Sequence, residues 1–268
     1  MSDREVYPKP PVALVAVEVR HPSAAPLSGT QEAEAKRSLA PLTPISKPVQ
    51  TQTVLLTTGP SAATSDVTSE TFPRFLSRDK SLSVTFRPDA FVVETTRYSR
   101  YEALRELTLA ALETRQKVAP VDGVERIGIR YINEIRVPSI EAPTEWCEWM
   151  DPAVAGPVSL RTSQKLTLNS WQGIALFGDP ATEATTVRYG PLEGYAVNPG
   201  SDLRRKTPPP GPFFLVDIDS FWTPREETPS ATAETILPRL NNLNESARVL
   251  FESLITDRLR NEVFRNEV

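Results

Sequence analysis

The sequence predicts an α+β protein built from two consecutive strand-helix-antiparallel-sheet-helix halves, with curved sheets and a long C-terminal helix. Three observations lead there. The stretch Val121 to Pro138 keeps a two-residue period, with Ile127, Ile129, Tyr131, Ile135 and Val137 on one side and Arg126, Arg130, Glu134 and Arg136 on the other. It reads as a central strand that meets a core on one face and carries charge on the other. Two segments switch to helical spacing: Tyr101, Leu104, Leu107, Ala111 and Leu112 in the first, and Leu240, Leu243, Ala247, Leu250, Phe251, Leu254, Ile255 and Leu259 in the second. The same element order is run through over 12–118 and again over 124–264, without a residue-level repeat. Residues 1–120 and 121–268 are therefore the expected halves, packed as one unit.

The elements follow in order. Val12 to Arg20 suits a strand, and Pro22 and Pro26 close it. Ser28 can cap a short helix over Gln31 to Leu39, which Pro41, Pro44 and Pro48 keep from growing. Val49 to Thr58 is rich in β-branched residues and reads as a strand. The following TGPSAATSDVTSE has almost nothing to bury and reads as a flexible loop. Strands at Phe72 to Ser77, Leu82 to Phe86 and Ala90 to Tyr98 come next, then the first long helix, starting by Ser99 and ending before Pro120. After the central strand, Pro143 and Thr144 open a short helix that Pro152 and Gly156 end. Leu160 to Phe177 reads as one long or two broken strands, Ala184 to Tyr189 with Tyr195 to Val197 as a strand or hairpin, and Phe213 to Trp222 as the last strand. The basic, proline-stiffened loop SDLRRKTPPPGP precedes it. In the final helix, Pro238 falls in the first turn or kinks an earlier segment.

Composition removes several function classes. The net charge is -4 and the pI about 5.3, which argues against a domain that gains its affinity by neutralising phosphates. A single cysteine, Cys147, and a single histidine, His21, leave no material for an intrachain disulfide or a histidine-rich metal centre and little for a His-Cys or Ser-His relay. No metal or cofactor is expected. The glycines nowhere match a phosphate-binding loop, a dinucleotide fingerprint or a nucleophile elbow. With no secretory signal pattern and no apolar run long enough to span a bilayer, the expected location is the cytoplasm, away from the membrane.

What remains is the polar side of the strands. Arg126, Arg130, Glu134 and Arg136 share one face of the central strand, Asp217 and Asp219 share one face of FFLVDIDSFW, and Glu94 and Glu18 hold similar positions on theirs. If those strands are neighbours, acids and arginines form a ladder across the sheet. Such cross-strand pairs often do no more than contribute about 0.2–1 kcal/mol each to the sheet. The functional alternative is a recessed site in which the arginines grip a small anionic or nucleotide-like molecule. Arg204, Arg205 and Lys206 form a positive spot on their loop, either solvated or a docking point for an acidic protein partner. Asn133, on the apolar side, either bonds backbone or faces a cavity. His21 is expected in a solvated turn, and Trp146, Cys147 and Trp149 on a packed short helix, with Cys147 a buried thiol.

The unit order resembles that of TATA-box-binding-protein-like and helix-grip folds, in which a curved antiparallel sheet carries helices on one side and leaves the other open. In addition, VVETTRY at Val92 to Tyr98, ERIGIRYINEI at Glu125 to Ile135 and LNNLNESARVLFESLIT at Leu240 to Thr256, preceded by FLSRDKSLSVTF, resemble a sporadically distributed family of uncharacterised bacterial proteins. That resemblance implies a role in mobile-element biology, such as phage defence or a toxin-antitoxin system, and brings no catalytic residues. The expected function is a non-enzymatic interaction protein with a protein partner, homodimerisation being a further expectation. The alternative is a ligand-binding domain or enzyme that uses the charged sheet face.

Overall fold

Alternation along β1 (Val12–Arg20) and β8 (Arg126–Ile135) places these strands side by side at the centre of a nine-stranded antiparallel sheet. The computed structural model describes residues 6–58, 63–138, 140–159 and 168–266, with backbone alone over 52–58 and 63–68 and at 159. From β1 outward, the strands are β7 (Ala90–Thr95), β6 (Leu82–Phe86), β5 (Arg74–Leu76) and β2 (Ile45–Ser46). From β8 outward, they are β11 (Gly211–Trp222), β10 (Glu183–Gly194) and β9 (Gly173–Asp179). Each half of the chain thus supplies the strands on its own side of the β1/β8 seam. The two sides are ordered alike, first strand innermost, then the last, then the earlier ones.

Three helices cover one face: α1 (Gly29–Leu39), α2 (Tyr101–Val118) and α3 (Ala233–Leu254). α3 packs on β8 and β11, α2 on β7 and α3, and α1 on α2. The odd positions Val15, Val17 and Val19 of β1, Ile127 and Ile129 of β8 and the even positions Val216 and Ile218 of β11 join Leu104, Ala111, Leu240 and Leu243 in one core. Each aliphatic side chain buried this fully contributes about 1.5–3 kcal/mol relative to exposure. Ser28 caps α1 in a reciprocal box with Gln31, whose amide also reaches the Val118 carbonyl at the end of α2. Gly190 sits in β10 at φ 149, and a Cβ there would lie 2.3 Å from the Trp171 carbonyl oxygen, so a close backbone approach requires glycine.

Several expectations are corrected. The segment read as a flexible loop contains β4 (Ala63–Phe72), which pairs with β3 (Val49–Thr58) as a separate two-stranded ribbon. Threonine and valine suffice for ladder hydrogen bonds even where little is there to bury. Residues 183–194 form one unbroken strand, because β10 pairs along its length with β11. Of the expected strand over 160–177, the part from 160 to 167 lies outside the described residues, 168–172 are irregular, and only 173–177 enter β9. The terminal stripe is not one helix: α3 stops where Ile255 bridges to Met150, and Thr256 caps a fresh turn at Asp257–Leu259. Pro238 lies inside α3, beyond its first turn. Trp146 is buried within the 3-10 turn Pro143–Glu148 and Trp149 at its end, whereas Cys147, off the face they share, is exposed. His21 is buried, held to the β6–β7 turn by a hydrogen bond from its amide to the Asp89 carbonyl.

Candidate functional site

The face away from the helices is read row by row through the strand registers. Leu176, Thr186, Asp219, Arg130, Ala16, Glu94 and Ser83 make one row across seven strands. The adjoining row runs Ile174, Arg188, Asp217, Ile132 and Leu14. On the other side come Phe221, Gly128 and Glu18. Arg126, Arg130, Asp217 and Asp219, expected on one surface, are brought together there with two groups that sequence reasoning did not include, Arg188 and Phe221.

Their chemistry is that of paired charges. Arg130 donates from Nε and Nη2 to the two oxygens of Asp217 at 2.7 Å each, and Arg188 approaches the same carboxylate at 3.7 Å. The Asp217 hydrogen bonds raise the Arg130 pKa. Glu18 gathers Arg20 at 2.6 Å, Arg126 at 3.3 Å and Arg87 at 3.4 Å. Arg126 also lies over the Phe221 ring at 4.6 Å and reaches Asp219 at 3.9 Å. Burial pushes the Asp219 carboxyl up, against the pull of Arg126 and Arg130. Glu94 accepts a hydrogen bond from Ser83 at 2.9 Å and stands across β1 from the arginines.

Glu134 and Arg136 serve a different purpose. The Glu134 carboxylate is buried and accepts from Arg136 Nε at 2.9 Å, from the Ala196 amide at 2.8 Å and from Arg205 Nη2 at 2.5 Å. Those last two partners belong to the long β10–β11 connection, which Glu134 therefore straps down over the end of β8. The same loop continues to the other half of the sheet: Asp202 pairs with Lys47 and Arg74, the Arg204 amide donates to the Lys80 carbonyl, and Thr96 donates to the Arg204 carbonyl at 2.5 Å. Arg205 is turned inward, with its side chain only 9% exposed, and does not form a solvated patch with its neighbours. Arg204 and Lys206 are exposed.

No family model and no curated protein matches this chain. Among the described residues, no group of three or more His, Cys, Asp or Glu side chains is placed to hold a metal ion, and no helix is long and apolar enough to cross a membrane. On the helix side, a cavity of about 140 Å³ opens between β8, α2 and α3, lined by Tyr98, Tyr131, Asn133 and Phe251. Asn133 meets both of its expected descriptions there: it lines this cavity while its Nδ2 donates to the Val216 carbonyl at 2.9 Å. Tyr131 donates to Asn244 at 2.7 Å, so the polar groups on that wall are engaged in holding α3 to the sheet.

Proposed function

We propose that this chain is a non-enzymatic binding protein that receives a protein partner on the open face of its sheet. The observation that carries this reading is the pairing of Arg130 with Asp217. That guanidinium is already neutralised by a carboxylate that accepts two 2.7 Å hydrogen bonds from it, so a small anion would have to bind beside Asp217 and against its charge. The same rows, by contrast, run out to Ile174 and Leu176, 72% and 52% exposed, so apolar surface adjoins arginines on one broad face. That mixture is characteristic of protein interfaces, where arginine is enriched and apolar side chains form the contact core. The alternating signs along the rows and the net charge of -4 disfavour nucleic acid.

The mirrored strand order about the β1/β8 seam supports a TATA-box-binding-protein-like or helix-grip-like arrangement, with the partner lying along the seam. Among the described residues no strand pairs with the outer edge of β9, and that edge offers a second copy of the chain a place to extend the sheet. The resemblance to the sporadically distributed bacterial family adds the proposal that the partner belongs to a phage-defence or toxin-antitoxin system. A second reading, an anionic or nucleotide-like ligand, draws on Arg188, which is 44% exposed and holds Asp217 only at 3.7 Å.

Affinity capture from the source organism with the wild-type chain, Leu176→Asp and Val249→Asp separates these readings. Val249 is 53% exposed on the opposite, helical side. A partner retained by Val249→Asp and lost by Leu176→Asp supports the open face. Loss with Val249→Asp alone contradicts it.

A further inference from the structure

A second cavity, of 220 Å³, lies between α1, α2 and the β6–β7 turn, and it contains a cation without a counter-ion. Its walls include Leu27, Phe72 and Phe86, and its lining includes Arg115 of α2, a residue only 1% exposed. Arg115 donates from Nη1 to the Ala119 carbonyl at 2.6 Å, but its Nε has no hydrogen-bond partner and no carboxylate pairs with it among the described residues. His21, itself 1% exposed, donates from Nδ1 to the Pro22 carbonyl at 2.9 Å and leaves Nε2 without a partner. Burial alone lowers the Arg115 pKa; burial and Arg115 together lower that of His21.

A guanidinium withdrawn from water is ordinarily paired, because the desolvation penalty is large and a lone carbonyl offsets little of it. Arg115 lies in the last turn of α2, where its bond to the Ala119 carbonyl caps the helix but leaves Nε of the fork unengaged. We propose that the cavity binds a small apolar monocarboxylate, with its carboxylate on the Arg115 guanidinium and its hydrocarbon body against Phe72 and Phe86. The space exceeds the roughly 150 Å³ that accommodates benzene in an apolar protein cavity, so a ring or short branched chain fits. The planar fork of arginine matches a carboxylate through two hydrogen bonds. Arg87, also in the lining, is already paired with Glu18 and Asp89, and Glu32 and Glu70, more exposed than Arg115, add two negative charges, so a dianion such as phosphate is disfavoured. The proposal stands apart from the open-face reading and survives its failure.

Ligand-observed NMR titrations of the full chain with benzoate, benzyl alcohol and inorganic phosphate test it. Benzoate binds saturably, benzyl alcohol at least about tenfold more weakly because it brings no charge to the fork, and phosphate not at all. Arg115→Met abolishes benzoate binding while the free chain keeps a cooperative melting transition, the lost α2 cap being offset by removal of a desolvated charge. Thr71→Trp, at an exposed lining position, blocks the cavity with Arg115 intact and abolishes binding as well. Absence of benzoate binding, equal affinity for benzyl alcohol, or binding unchanged in both variants overturns the proposal.

Discussion

Arg130 on β8 grips Asp217 on β11, although the residue directly opposite Arg130 in the ladder is Asp219. The strong pair is therefore diagonal, two residues along the neighbouring strand, a distance that a long arginine spans easily. Asp217 becomes a buried, doubly bonded acceptor, and Asp219 is left with a weaker approach from Arg126 at 3.9 Å.

The two aspartates should accordingly respond in opposite ways to loss of charge. Asp217→Asn removes the carboxylate that neutralises Arg130 and Arg188 and lowers stability by about 1–2 kcal/mol, discounted for the exposure of both arginines. Asp219→Asn leaves stability at neutral pH unchanged or slightly higher. Urea denaturation of both variants measures the difference, and an equal loss in each would show that the diagonal pair has no special role.

Acid titration adds a second contrast. The folded-state pKa of Asp219 is raised above 3.8, so the folded chain binds its proton first and this group adds stability as pH falls through the raised value. Asp79 behaves in the opposite sense: hydrogen bonds from Ser77 and Ser81 hold it at about 2, so its contribution is present above 3.8 and is lost as pH falls toward 2. Asp79→Asn should flatten the stability curve between those two values, and Asp219→Asn should flatten it above 3.8. Unfolding free energies measured across that range give the result directly.

Glu134 fixes the β10–β11 connection, so its neutralisation should free that loop before it affects the sheet. Glu134→Gln leaves Arg205 and Arg136 without their shared carboxylate and costs on the order of 3 kcal/mol, as expected when one partner of a buried ion pair is removed. Hydrogen exchange should show the Ala196 amide and its neighbours losing protection while amides of β8 keep theirs.

Lys80 occupies the left-handed region at φ 59 in the turn between β5 and β6. A side chain there costs about 1–2 kcal/mol relative to glycine, partly offset by the freedom that glycine gains in the unfolded chain. Lys80→Gly should raise stability by roughly 0.5–1 kcal/mol in chemical denaturation.

Much of this fold is legible in the sequence because alternation and helical spacing are strong signals. Ile127 and Ile129 indicate the buried face of β8 as clearly as Arg126 and Arg130 indicate the other. Placing Asp217 and Asp219 on one face is likewise legible from a two-residue period. Which of them meets Arg130 is not, since that depends on the register between strands far apart in the chain. The inward turn of Arg205 is hidden for the same reason: SDLRRK looks solvated until Glu134 is placed beneath it. His21 and Arg115 escape because a polar residue next to a proline or on a helix carries no mark of burial in its own neighbourhood. β4 escapes because it gains hydrogen bonds without a hydrophobic pattern.

The open sheet face as the partner surface is tested most directly by a photo-crosslinking residue placed at Leu176 in one preparation and at Val249 in another, each exposed to lysate of the source organism. The account predicts one discrete adduct at residue 176, diminished by Arg130→Ala, and none at residue 249. A discrete adduct at residue 249 with none at residue 176 would contradict it.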